Sequence, residues 1–296
     1  METPSGFCKK TLMHQGCESL HKYQRDYILD LFDNWRVGQV AFRASGASQH
    51  IFMEHIIQKN ILHIKERIKA ACKRAGRNPK EVQLLLATKT VEPERILQAF
   101  ACGCTLIGEN KVQELRDKYE ALSAVPHTAH FIGHLQSNKI KEVIQYAQCI
   151  QSIDNLDTAK KLEQRLAQEG RNLDILVQVN TSAEESKFGC VPGEAESLVK
   201  AIATLPHVTI RGFMTIGLFS GEEDKVRACF RCLKQVQKRV AALALPNVST
   251  DILSMGMSGD LEIAIEEGST MLRIGTAVFG ERQYPDTYYW NEQNPS

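Results

Sequence analysis

Apolar residues follow two rhythms along this chain. In NILHIKERIKAACKRAGRNP they recur at helical spacing (Ile61, Ile64, Ile68, Ala71) and stop at Gly76, with Pro79 beyond. That pattern predicts an amphipathic helix with a normal C-terminal end. Downstream, short and nearly unbroken apolar runs take over: QLLLAT (83–88), TLIGE (105–109), HFIG (130–133), CIQSI (149–153), LDILVQV (173–179), VTIRGFM (208–214), DILS (251–254) and MLRI (271–274). Helical stretches separate them: PERILQAF, NKVQELRDKYEAL, NKIKEVIQYA, NLDTAKKLEQRLAQ, GEAESLVKAIATL, KVRACFRCLKQVQKRVAAL and LEIAIEEG. Continuous rather than alternating apolar runs suit parallel strands buried on both faces. Eight strands alternating with helices predict an α/β fold of the (β/α)8, TIM-type barrel class. The alternative is a doubly wound open sheet, but no G-x-G-x-x-G follows the first strand.

The regular pattern runs over residues 53–284. Residues 1–52 read as an extension, with one amphipathic helix in YQRDYILDLFDNW and a loop in FRASGASQ, and residues 285–296 read as a tail.

A barrel of this kind carries its chemistry at the C-terminal ends of the strands, often with an anion site after strands seven and eight. Lys89 follows the first strand, and only this lysine is preceded by a four-residue apolar run, Leu84 to Ala87. A partly dry strand end can hold a lysine amine unprotonated, as imine chemistry requires. A lysine ending a strand is more often simply solvated. Among its competitors, Lys139 lies on a helix face and Lys187 has Glu184 and Glu185 beside it. SMGMSGD (254–260) follows strand seven, and Gly275 and Thr276 follow strand eight. Glycines let backbone N–H groups approach an anion, and hydroxyls add donors. A helix beginning near Ser258 would present its N-terminus to the same anion; the plainer reading makes Ser258 only the cap of that helix. Arg273 inside a barrel strand must be paired or face the site. Glu109 and Glu281 are its candidate partners.

Composition narrows the rest. The chain has 296 residues, 43% hydrophobic and 24% charged, with net charge +1, which gives no electrostatic reason to expect nucleic acid or an anionic membrane as partner. No apolar run approaches the roughly 18 residues of a membrane span, and the N-terminus lacks the apolar core of a secretory signal. Nine irregularly spaced cysteines fit structural thiols in a reducing, cytoplasmic setting. His127, His130 and His134 lack a nearby carboxylate or cysteine to complete a metal site. No exposed heptad stripe argues for an obligate assembly, so a monomer is expected.

The segments LLLATKT, IGENKVQE, HFIGHLQSNK, QVNTSAEESKFG, GFMTIG, SMGMSGD and AIEEGSTMLRIGTAVFGER resemble those of the pyridoxal phosphate homeostasis proteins, single-domain barrels similar to the N-terminal domain of alanine racemase. The likeness runs from about residue 57 to residue 284. It implies that Lys89 joins pyridoxal 5'-phosphate as a Schiff base. Ser258, Gly275 and Thr276, with backbone groups of Gly256 and Met257, would hold the phosphate. Arg273 would face the pyridine nitrogen, and Asn110, Met214 and Ser254 would line the pocket, with His134 a neighbour at most. An arginine cannot take the ring proton, so the ring is a weaker electron sink than one facing a carboxylate. The roughly 20 residues after Thr276 are too few for the second domain that supplies a racemase's other catalytic group, and nothing in the sequence positions Tyr284, Tyr288 or Tyr289. The expected role is to bind, buffer and hand over the cofactor, with apo-enzymes as acceptors. Two other readings use the same lysine: a weak cofactor-dependent amino-acid racemase or lyase, and a cofactor-free Schiff-base aldolase with Glu109 as its acid/base group.

Overall fold

The computed structural model describes residues 47–280 except 185, 186 and 219, with side chains from Ile56 onward. The helix expected in YQRDYILDLFDNW, the tail, Glu185, Glu281 and Tyr284, Tyr288 and Tyr289 lie outside the described residues. Contacts along the chain divide after Met53, and the barrel belongs to the unit that starts at Glu54.

Helix α1 (Ala47–Arg74) carries the expected stripe, with Ile57, Ile61, Ile64, Ile68 and Ala71 all buried. It starts inside FRASGASQ, so the last three residues read as loop are helical instead. Each buried isoleucine contributes on the order of 1.5–3 kcal/mol. That outweighs exposed pairs such as Lys69–Glu66, worth about 0.5 kcal/mol. Packing therefore fixes this helix.

Eight parallel strands follow: β1 (Gln83–Ala87), β2 (Leu106–Glu109), β3 (Thr128–Phe131), β4 (Cys149–Ile153), β5 (Leu173–Gln178), β6 (Val208–Met214), β7 (Val248–Ser254) and β8 (Met271–Ile274). They pair in chain order, and β1 closes on β8 through Gln83↔Met271 to Leu86↔Ile274. The barrel is the predicted one; β7 begins three residues before the expected Asp251. Between the strands run α2 (Pro93–Ala101), α3 (Val112–Leu122), α4 (Ile140–Tyr146), α5 (Leu156–Glu169), α6 (Ala195–Ile202), α7 (Glu223–Ala241) and α8 (Leu261–Glu266), and the short α9 (Thr276–Phe279) follows β8. Local signals set their ends. Asn155 caps α5 by accepting the Thr158 N–H at 2.8 Å, and Gly170 ends it in the left-handed region at φ 61°.

Alternation sorts strand residues into two layers. Leu86, Ile107, Ile150, Ile175 and Val177 pack outward with the helices in the main core. The opposite parity faces the barrel axis, where Cys149, Leu176 and Met214 form a smaller apolar cluster. Among the described residues no helix is long and apolar enough to cross a membrane.

Candidate functional site

Register places the predicted site residues on one rim. Ala87 pairs with Gly108, so Lys89 and Asn110, each two residues further on, leave their strands at the same level. Met214 pairs with Ser254, and Arg273 lies opposite Leu85. Thr88 turns outward, since its hydroxyl donates to Glu109 in the helix layer at 2.6 Å. By alternation, half-buried Lys89 leaves β1 on the axial side.

The last two connections meet beside that strand end. A Cβ on Gly275 would sit 3.1 Å from the Ala87 carbonyl oxygen, so the chain after β8 passes close behind the residues leading to Lys89. Ser258 Oγ lies 3.4 Å from both Thr276 Oγ1 and the Ala277 N–H. Two hydroxyls and a backbone donor thus converge. The SMGM turn needs its glycine: Gly256 has φ 95°, and a Cβ there would lie 2.4 Å from Ala264 Cβ. Ser258 does not cap a helix as expected. Helix α8 starts at Leu261 with Asp260 in the cap position, and the Asp260 side chain instead accepts the Met257 N–H at 2.5 Å. The carboxylate of the S-G-D triplet sits nearer the helix and takes the turn, which leaves the Ser258 hydroxyl directed at the β8 connection.

Helices α1 and α2 brace this rim. Arg67 donates to the Ser258 carbonyl at 3.2 Å and pairs with Glu262 at 2.7 and 2.8 Å. Asn60 donates to the Val278 carbonyl at 2.9 Å, and Arg95 donates to the Phe279 carbonyl. The sequence reading missed these residues, because nothing local to α1 marks a contact about 200 positions away.

Arg273 is buried in the barrel and is not paired with Glu109, one of its two expected partners; the other, Glu281, lies outside the described residues. Glu109 faces α3 on the other side of the sheet, while Arg273 donates to Ser254 Oγ and to the Thr215 carbonyl, both at 2.8 Å. An arginine can only donate. Ser254 therefore accepts from it and donates its own O–H to Gln151 Oε1 at 2.7 Å, and the Gln151 amide then donates to His130 Nδ1 at 2.7 Å. This chain fixes the His130 tautomer with its proton on Nε2. Burial lowers the His130 pKa to about 4, so the ring is neutral. Burial also lowers Arg273, to about 10, against the opposing pull of Asp260, and the guanidinium stays cationic at neutral pH. Burial pushes Asp260 up, while the Met257 N–H and Arg273 pull it down. Gln151 could have been flagged as the one amide in a fully buried strand.

The histidines do not act together. His134 stacks on Phe188 with ring centroids 3.8 Å apart, and His127 stacks on Phe100 at 5.2 Å. Among the described residues no group of three or more His, Cys, Asp or Glu is arranged to hold a metal. Lys187 is paired as expected, with Glu184 at 3.0 Å, and also donates to the Gly217 carbonyl at 2.9 Å. With Glu109 turned into the helix layer, the aldolase reading loses its acid/base group.

Comparison with known proteins shows the family and the fold. Residues 60–283 match the family model described as alanine racemase, N-terminal domain. A curated protein of Aquifex aeolicus named pyridoxal phosphate homeostasis protein is 41% identical over 229 residues, covering 76% of this chain and 98% of the relative. Its namesake in Escherichia coli strain K12 is 39% identical over 231 residues, covering 77% and 97%. Among solved structures, PipY of Synechococcus elongatus with PLP bound is 31% identical, with a TM-score of 0.64 over 73% of this chain and all of that one. Alanine racemase of Corynebacterium glutamicum, 14% identical with a TM-score of 0.59, covers 77% of this chain and 62% of its own and shares the fold.

Proposed function

Since this chain belongs to the pyridoxal phosphate homeostasis protein family, built on the barrel of the alanine racemase N-terminal domain, we propose that it binds pyridoxal 5'-phosphate through Lys89 and buffers it for transfer to apo-enzymes in the cytoplasm. The observation that carries the reading is the convergence of Ser258, Thr276 and the Ala277 N–H beside the strand end that leads to Lys89. The donor set fits a phosphorylated pyridine aldehyde. Hydroxyl and backbone donors suit the dianionic phosphate, with Gly275 bringing backbone close, whereas the Met257 N–H is taken by Asp260. When bound, the cofactor supplies an aldehyde that condenses with a lysine amine, with loss of water.

The protein's own residues bias the site towards storage. Arg273, held by Ser254 and Thr215, offers a donor and no proton acceptor to the ring nitrogen. Met214 supplies an apolar wall, and Asn110 a polar side chain at the level of Lys89. A ring nitrogen kept unprotonated supports carbanions poorly, so turnover is disfavoured. We infer a monomeric carrier. A weak racemase or lyase on the same residues is the competing reading.

Incubation with pyridoxal 5'-phosphate should give a yellow protein, and Lys89→Ala should stay colourless. Amino acids in heavy water should show no α-proton exchange beyond that of the free cofactor. Lys89-dependent exchange would replace the carrier with an enzyme, and a colourless wild type would remove both.

A further inference from the structure

We propose that Glu109, Lys118 and Glu114 position Lys89 by tying down the turn that carries it on both sides, so that cofactor attachment follows the protonation of this cluster. The inference rests on Lys89 being the attachment point. The cluster lies between β1, β2 and α3, across the sheet from the barrel axis.

Its bonds close around Lys89. On the N-terminal side, the Thr88 hydroxyl donates to Glu109 Oε1 at 2.6 Å, and Lys118 Nζ donates to the Thr88 carbonyl at 2.8 Å. On the C-terminal side, the Thr90 N–H donates to Glu114 Oε2 at 2.6 Å. Lys118 joins the two halves, at 2.8 Å from Glu109 Oε1 and 2.7 Å from Glu114 Oε2. Thr90 has φ 62°, an unfavourable conformation for a β-branched residue that persists only where its surroundings impose it. The Glu114 bond is one such constraint. Four of the five bonds end on the residues flanking Lys89 or on the carboxylate holding Thr88.

The cluster is also poised to titrate. Glu109 is fully buried, and burial raises its pKa to about 7 even though Lys118 and the Thr88 hydroxyl pull it down; Glu114 adds to the rise. Burial works against the charge on Lys118, but Glu109 and Glu114 outweigh it and hold the ammonium above its ordinary range. Glu109 thus takes up a proton near neutrality, and its titration is linked to the Lys118 ammonium beside it. His127, Tyr119 and Tyr146 are the other titratable side chains lining the same small cavity of about 10 Å³ beside Glu109. His127 is held by the Val125 carbonyl at 2.8 Å.

Attachment is read from pH 5.5 to 9 by borohydride trapping at fixed free pyridoxal 5'-phosphate and intact-protein mass. Wild type should gain adduct through a transition near pH 7. Lys118→Met should move the midpoint up by about one pH unit or more, because Glu109 loses its cation. Thr88→Val, which removes one donor to Glu109 and little volume, should move it the same way by less. Glu109→Gln should flatten the transition while the adduct stays on Lys89. Wild-type midpoints in Glu109→Gln and in whichever of the other two variants folds would overturn the proposal. A wild type with no adduct at any pH would instead overturn the Lys89 reading, and this inference with it.

Discussion

At the scale of one residue, the proposed site takes its electronic character from Arg273. It is buried yet cationic, and its donors are directed at Ser254 and the Thr215 carbonyl. Arg273→Glu would place a carboxylate where the ring nitrogen is expected. If the variant still binds pyridoxal 5'-phosphate, slow transamination of an added amino acid should rise by on the order of tenfold, about 1.4 kcal/mol in barrier. Formation of pyridoxamine phosphate over hours measures it, and an unchanged rate with cofactor retained would contradict the electronic account. The sequence marked Arg273 as out of place in a strand, but Glu109, one of the partners it offered, faces the helix layer instead. Glu109 was readable as a candidate only because β2, LIGE, is apolar on both faces. A strand buried on both sides gives no clue to which side a lone carboxylate takes. Its partner Lys118 comes from a helix whose inward face is visible only once the strand register is known.

Between elements, two buried titratable groups bias stability in opposite directions. His130 binds its proton less readily folded than unfolded, so between its pKa of about 4 and the ordinary value near 6.5 stability rises with pH. Glu109 in the helix layer binds its proton more readily when folded, so from the ordinary carboxylate range near 4.5 up to about 7 stability falls as pH rises. The two offset each other over most of this window. Glu109→Gln removes the falling component, so its urea midpoint should improve relative to wild type on going from pH 5 to pH 8. An equal difference at both pH values would show that Glu109 ionises freely in the folded protein. Element positions were legible because the apolar runs are unbroken and turn residues bound them; β4, β6 and β8 coincide with CIQSI, VTIRGFM and MLRI. The start of α8 was not, because serine and aspartate two positions apart both suit a cap and only packing chooses Asp260.

For the whole molecule, the order of strands around the barrel brings the first and last strands together. The strand leading to Lys89 closes on the strand that carries Arg273, and α1 braces the connections after β7 and β8 through Arg67 and Asn60. A closed barrel was the one inference from sequence on which every site residue depended, since an open sheet would leave β1 and β8 apart. The polar chain from Arg273 to His130 and the Glu109 cluster were not legible in the sequence, as each joins side chains from separate strands and helices. The central claim is that the Lys89 amine meets the cofactor's aldehyde while the last two connections hold its phosphate. Borohydride reduction of the protein loaded with pyridoxal 5'-phosphate, followed by digestion and peptide mass mapping, tests it most directly. The account predicts a single pyridoxyl-phosphate adduct on Lys89, lost in favour of unmodified peptide when Ser258 and Thr276 are both changed to alanine at limiting cofactor. An adduct on Lys187, on Lys139 or spread over surface lysines would contradict it.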